Sequence, residues 1–169
     1  MDLKHILPFL LLLGGLLLPK ALLAQADGGE PTDGPENVTD AFQENFYEAL
    51  KQKTIENYEL AILALEKAQK ASEGNLEADA IVFYEFAKNQ IKLNQYNEAE
   101  LNLNKVLRQQ PGNIDVLETL YDLYYLKREY DKAIPLVKKL SVIDEDYKED
   151  LANLYHRTKQ YEKALVLLD

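Results

Sequence analysis

Few side chains in this 169-residue sequence are of a type and spacing that could perform catalysis. There is no Cys, and the only two His residues are His5 and His156. A catalytic imidazole works beside a nucleophile or a second acid or base, and neither Ser72 nor Ser141 lies in a nucleophile motif. No glycine-rich phosphate loop is present. We therefore expect a protein that is not an enzyme and that needs no cofactor.

The densest cluster of possible metal ligands is acidic. Asp144, Glu145 and Asp146 are consecutive, and Asp150 follows them. A calcium loop of the EF-hand type needs a central Gly and a Glu at its twelfth place, where this sequence has Tyr155. The run therefore favours a turn between helices, with acids near a helix start, over a calcium site.

The overall charge limits the class of partner. Lys and Arg total 19 against 29 Asp and Glu, so the formal net charge is -10. Phosphate binding needs a basic surface, which excludes nucleic acid as the expected partner. The charge is uneven: residues 27–79 hold 13 acids and 4 bases, whereas residues 80–169 hold 15 acids and 13 bases.

The N-terminus has the pattern of a secretory signal peptide. Lys4 precedes an apolar run from Ile6 to Leu18, and a small-x-small ending predicts cleavage after Ala26. The alternative is an uncleaved membrane anchor, but the run is shorter than a spanning helix and is followed by Pro19 and Lys20. We expect residues 1–26 to be removed, leaving no stable membrane span, and the protein to be exported from the cytoplasm.

A different composition follows the apolar run. Residues 27–40 hold five acids and no base, together with Gly and Pro, which predicts a flexible acidic leader. Thr39 or Asp40 is suited to cap the helix that comes next.

An internal repeat organises the rest of the chain. The alanines of its four copies are 38, 34 and 31 residues apart. The copies are Tyr58-Glu59-Leu60-Ala61, Tyr96-Asn97-Glu98-Ala99, Tyr130-Asp131-Lys132-Ala133 and Tyr161-Glu162-Lys163-Ala164.

This pattern resembles the tetratricopeptide repeat, a helix-turn-helix unit of 34 residues. The match is strongest at Phe83, Phe86 and Ala87 in a first helix and at the closing Pro111. The resemblance implies an all-α, right-handed superhelical α-solenoid of antiparallel helix pairs. Signal peptides followed by such arrays resemble exported proteins of Gram-negative, Bacteroidota-like bacteria, and this resemblance implies a location in the periplasm or cell envelope. The predicted units are a divergent first pair at 41–79 with a long connection from Ser72 to Asp79, repeats at 80–113 and 114–144, and an incomplete repeat at 145–169.

The resemblance also implies that the first helices line a concave groove for a protein or peptide. The candidate groove residues are Ile81, Tyr84, Lys88, Ile91, Asp115, Glu118, Asp122, Tyr125, Glu149, Asn153 and His156. Family members that grip chaperone carboxylates use Lys and Asn at places occupied here by Tyr84, Lys88, Glu118 and Asp122, so that clamp is absent.

The candidate groove has an aromatic and aliphatic half beside an acidic half. Asp115, Glu118 and Asp122 share one helix face, which we expect to lie opposite the packing face of Leu117, Leu120, Tyr121 and Tyr124. Such a groove suits a partly cationic peptide; the alternative is a solvated face with no partner.

Two features near the C-terminus complete the predictions. Pro135 predicts that its helix either begins late or bends. The apolar residues 165–168 predict a longer array or closure by another chain, including self-association through this end. The expected function is a non-catalytic scaffold for protein-protein contact; the alternative is the docking arm of a larger envelope assembly that continues beyond Asp169.

Overall fold

The computed structural model describes residues 38–168, and within that range every regular element is an α-helix. The predicted signal peptide and most of the acidic leader lie outside the described residues. No described helix has the length and apolarity needed to cross a membrane. The helices are α1 (Asp40–Thr54), α2 (Tyr58–Ala71), α3 (Leu76–Lys92), α4 (Tyr96–Gln109), α5 (Ile114–Leu126), α6 (Tyr130–Ile143), α7 (Tyr147–Arg157) and α8 (Tyr161–Leu168).

The start of α1 follows from one side chain. Thr39 Oγ1 accepts a hydrogen bond from the backbone N–H of Phe42 at 3.2 Å, so Thr39 is the N-cap. Val38 packs against the core. The end of the predicted leader, residues 38–40, is therefore part of the folded unit.

The helices form four antiparallel pairs with the same tight turn. Three residues separate the two helices of every pair, and one of them has positive φ, as is usual for a residue that ends a helix. These residues lie two places before the repeated tyrosines and are Glu56, Asn94, Arg128 and Lys159, with φ between 59° and 61°.

The repeated alanines lie where the helices approach most closely. Ala61, Ala99 and Ala133 are 0% exposed and Ala164 is 8% exposed. A methyl side chain allows this close approach, and large apolar residues fill the space around it. The prediction of helix pairs packed around these alanines is confirmed.

Two expectations are corrected. The predicted connection from Ser72 to Asp79 is shorter, because Asn75 accepts hydrogen bonds from the N–H groups of Glu77 and Ala78 and caps a helix that begins at Leu76. A late start of the helix that contains Pro135 is wrong, since α6 begins at Tyr130 and continues through the proline.

Candidate partner-binding site

The first helices of successive pairs, α1, α3, α5 and α7, meet through side-chain contacts. Each junction joins a residue of one first helix to a residue of the next. The contacts are Lys53 with Glu85 at 2.6 Å, Tyr84 with Thr119 at 3.1 Å, and Tyr147 with Glu118.

The α1–α3 junction is balanced in charge. Glu85 is 8% exposed and pairs with both Lys53 and Lys88, the latter at 3.0 Å. Partial burial lowers the pKa of Lys88, but the attraction of Glu85 outweighs it and the net pKa is raised. Lys88, a predicted groove residue, therefore already has a carboxylate partner.

The α3–α5 junction is neutral. The hydroxyl of Tyr84 lies 3.1 Å from that of Thr119 and donates to the Asp115 carbonyl at 3.5 Å. Ile81 is exposed and Ile91 is half-buried. Of the candidates on α3, Tyr84 thus bridges to the next repeat, while Ile81 remains accessible.

The α5–α7 junction is acidic, and the nearby Arg157 packs on tyrosine rings instead of pairing with its carboxylates. Asp122 lies near Glu118 and Asp150, and the partial burial of its carboxyl group, together with these two neighbours, raises its pKa. Within residues 38–168, no basic group pairs with any of these three carboxylates. The hydrogen bond to Glu118 raises the pKa of Tyr147 to about 12. The structure therefore gathers carboxylates from two helices at one place.

Aromatic rings border this acidic junction. Tyr125 makes edge-to-face contacts with Tyr121 and Tyr130, with ring centroids 6.1 and 5.5 Å away. The Arg157 guanidinium lies 5.2 Å from the Tyr125 centroid and 5.3 Å from that of Tyr130, while its Nε donates to Asn153 Oδ1 at 2.9 Å. The chain's own arginine shows that this aromatic surface accepts a cation.

These contacts revise the expected face of α5. Glu118 and Tyr125 contact α7, and Tyr121 lies on the same side because its ring meets Tyr125. Leu117, Leu120 and Tyr124 of the expected packing face are buried, whereas Tyr121 lies with Glu118 on the side that α7 covers. Asp115 and Asp122 remain exposed.

The remaining candidates lie at the C-terminal end of the array. Glu149, Asn153 and His156 line an open cavity of about 530 Å³ on α7 and α8, together with Tyr161 and Leu165. They are close to one another, while the acidic residues of α5 face the other side of α7.

Sequence reasoning missed the contribution of Tyr147, Asp150 and Arg157 to the acidic junction. Asp150 was interpreted only as an acid near a helix start, which it also is. The repeat could have revealed the role of Asp150. It occupies the same repeat position as Thr119 and Glu85, both of which contact the preceding first helix.

The comparisons with known proteins identify the fold. No protein-family model and no curated protein matches the chain. A MamA RS-1 double mutant superposes with a TM-score of 0.61 at 17% identity, covering 87% of this chain and 76% of that one. MamA from Desulfovibrio magneticus RS-1 gives 0.60 at 18% identity, over 75% and 71% of the two chains. The TPR2B domain of yeast Sti1, solved as a complex with pHsp70, gives 0.55 at 18% identity, over 75% and 97%.

This chain has the tetratricopeptide-repeat fold. The all-α solenoid of antiparallel helix pairs predicted from the repeat is confirmed. In this fold each helix pair buries an apolar face only when the next pair covers it, so every junction between pairs contributes to stability.

Proposed function

We propose that the chain is a non-catalytic tetratricopeptide scaffold that binds a partly cationic peptide or helix at the acidic junction of α5 and α7. The observation that carries the proposal is the convergence of Glu118, Asp122 and Asp150 with no basic partner in the described structure. Like charges held together cost free energy, and a bound cation removes that cost.

The contrast with the other junctions supports this assignment. At α1–α3 the buried Glu85 has two lysines, so the fold provides internal counterions where it buries a carboxylate. At α5–α7 exposed Asp115 and Asp122 extend the acidic surface toward solvent. Tyr125 and Tyr130 add rings that already hold a guanidinium. Carboxylates beside aromatic rings suit Lys or Arg side chains.

The alternative is a solvated acidic face with no partner. The proposed binding site and a solvated face differ in where they bind a cation. A solvated face binds it no better at α5–α7 than in the acidic α1–α2 region. The fold also supports the broader proposal of a protein-interaction module, since the Sti1 domain of the same fold was solved as a complex with pHsp70.

We further propose that the protein belongs to the tetratricopeptide family and acts after export, in the periplasm or envelope of a Gram-negative bacterium. The pattern of residues 1–26 supports export, and cleavage after Ala26 is tested by N-terminal sequencing of the protein recovered from the envelope fraction. A docking arm of a larger envelope assembly is the second candidate, supported by the apolar surface of α8.

Binding of a defined peptide tests the site. The probe is a fluorescein-labelled peptide in which Lys alternates with small neutral residues, compared by anisotropy with the same peptide carrying Glu. We expect only the Lys peptide to bind, and Asp122→Asn or Glu118→Gln to weaken it about 2- to 5-fold, because a solvent-exposed ion pair contributes up to about 1 kcal/mol.

The matched control is Asp131→Asn, which removes an exposed carboxylate from α6. If Asp131→Asn weakens the Lys peptide as much as Asp122→Asn does, attraction is a property of the net charge and the proposed site is wrong.

A further inference from the structure

An open cavity of about 380 Å³ lies where the turn after α5 meets the end of α7. The charged side chains that line it are basic at Arg128, Lys132 and Arg157, and acidic at Glu129 and Asp131. We call it the arginine cavity. Its charge is opposite in sign to that of the acidic junction between the same two helices.

The two arginines are the basic groups of this cavity that have no carboxylate partner. Lys132 pairs with Glu129 at 2.7 Å, so these two charges balance each other. Within residues 38–168, neither Arg128 nor Arg157 forms an ion pair. A guanidinium stays charged at any physiological pH, so the cavity keeps two positive charges, of which the exposed Asp131 offsets only one.

Tyrosine rings hold Arg157 in place at one side of the cavity. Its guanidinium packs on the rings of Tyr125 and Tyr130, and its Nη1 donates to the Tyr130 hydroxyl at 3.4 Å. Its Nε donates to Asn153 at 2.9 Å. A guanidinium has more N–H donors than these two bonds use, and a carboxylate can accept two of them in parallel. Arg157 is therefore positioned by the fold and still able to bind an anion.

The two arginines belong to this junction and are not required by the repeat. One repeat earlier, the corresponding places hold the neutral residues Asn94 and Leu126. Asn94 has the same φ as Arg128, 59°, and its Oδ1 accepts from the Tyr96 hydroxyl at 2.6 Å. The same turn thus forms without a cation, and its side chain is satisfied locally. We conclude that the fold does not explain the paired arginines.

The arginine cavity and the acidic junction follow each other along the same helices. Tyr147 contacts Glu118 near the helix starts, and Arg157 contacts Tyr125 near the helix ends, so α5 and α7 run in the same direction. At the rise of an α-helix, about 10 Å separate Glu118 from Tyr125 along α5. An extended peptide covers this distance with about three residues. One bound segment can therefore reach both charged regions.

We propose that the arginine cavity binds an acidic side chain of the same peptide whose cationic residues occupy the acidic junction. This inference rests on the proposed function and specifies its ligand, a peptide that carries Glu or Asp about three residues beyond a cationic block. Arg128 and Arg157 donate to the carboxylate. Neither arginine occupies a place of the chaperone-carboxylate clamp, so the assignment does not depend on the family resemblance.

Two amidated peptides of equal length test the ligand. The Lys–Glu peptide has a Lys block followed by Glu about three residues further on, and the Lys–Gln peptide has Gln in place of that Glu. Amidation leaves the Glu side chain as the only carboxylate. In isothermal titration calorimetry we expect the Lys–Glu peptide to bind about 2- to 5-fold more tightly, although its positive charge is lower. Equal affinities, or tighter binding of the Lys–Gln peptide, would overturn the proposal.

Arg128→Asn separates the cavity from the stability of the fold. The Arg128 side chain makes no hydrogen bond, ion pair or ring contact with the described residues, and Asn adopts its positive φ readily. The thermal midpoint should therefore not fall. We expect the variant to weaken the Lys–Glu peptide about 2- to 5-fold and not to weaken the Lys–Gln peptide, which has no carboxylate for Arg128 to bind.

The matched control is Lys159→Asn, which removes a cation from the corresponding turn, at φ 61°, outside the cavity. It should leave the affinity of both peptides unchanged. An equal loss for the two peptides in Arg128→Asn, or equal effects of Arg128→Asn and Lys159→Asn, would overturn the proposal.

The outcomes also separate this inference from the proposed function. If Glu118→Gln weakens the Lys–Gln peptide but Arg128→Asn affects both peptides alike, the acidic junction binds cations and only the arginine cavity is wrong. If Glu118→Gln leaves the Lys–Gln peptide unchanged, the acidic junction is wrong, and a loss in Arg128→Asn that needs Glu still places the carboxylate in the cavity.

Discussion

The hydroxyl of Tyr147, on α7, donates a hydrogen bond to the carboxylate of Glu118, on α5. This bond holds the two first helices together and fixes Glu118 beside Asp122 and Asp150. A contact that stabilises the fold therefore also brings together the acids assigned to partner binding. Natural binding sites often retain such unfavourable groups because function needs them.

The unfavourable charge of Asp122 should be visible as a pH-dependent gain in stability when it is removed. The pKa of Asp122 is raised in the folded protein, so its ionised form destabilises the fold at any pH above that pKa. Asp122→Asn should raise the thermal midpoint at pH 7. The gain should fade as the pH falls through the raised pKa of the folded state and should be gone below the ordinary aspartate pKa, where the wild-type side chain is neutral in both states. Equal midpoints at pH 7 would contradict this interpretation.

Glu100 should show the opposite behaviour. Its carboxylate accepts from Lys127 at 2.6 Å and Tyr124 at 3.0 Å, and Lys132 lies 3.3 Å away. Burial raises its pKa, but the three donors outweigh burial and lower the net pKa.

A lowered pKa means that ionised Glu100 stabilises the fold above the ordinary glutamate pKa, and that this stability is lost as the pH falls through the folded value. Glu100→Gln should therefore be less stable than wild type at pH 7, with the difference shrinking toward pH 3. Thermal unfolding of wild type and Glu100→Gln across this pH range checks the prediction. A stability difference that stays constant with pH would mean that the variant loses packing and not an ionic interaction.

The ion pair at the α1–α3 junction should contribute far more to the free energy of unfolding than a surface ion pair does. Lys53 and Glu85 are 27% and 11% exposed, so Lys53→Met leaves a largely buried carboxylate with only Lys88. We expect a loss of about 1–3 kcal/mol in unfolding free energy. Lys51→Met is the matched control, because its pair with Glu48 is 70% and 46% exposed and should contribute under about 0.5 kcal/mol. Equal losses in urea titrations would contradict the ranking.

Pro135 should be replaceable with a gain in stability. It is the sixth residue of α6, so it removes the N–H that would bond to the Asp131 carbonyl, and its side chain is exposed. Pro135→Ala should raise the free energy of unfolding by about 1–3 kcal/mol, measured by urea titration. A loss of stability would show that the proline ring makes contacts that this account omits.

The repeat made the helix pairs predictable, because Tyr and Ala recur wherever two helices must approach. Ala133 and Val137 are 0% exposed, and the same packing on both sides of Pro135 keeps α6 helical through a residue that local rules would exclude. The start of α3 was predictable in principle, since Asn75 precedes two acids that favour a first turn.

The binding surface was less predictable than the fold. The spacing of Glu118, Asp122 and Tyr125 places them on one face of α5, but only the angle at which α7 packs decides whether that face is open. That angle depends on long-range contacts such as Arg157 with Tyr125, which local sequence patterns do not encode.

Amide hydrogen exchange of the full chain, with and without the Lys peptide, tests the central claim most directly. If the acidic junction binds the Lys side chains of the peptide, added protection should concentrate in α5 (Ile114–Leu126) and α7 (Tyr147–Arg157). Asp122→Asn should reduce this protection. Protection confined to the acidic first pair, residues 40–71, with α5 and α7 unchanged, would contradict the account.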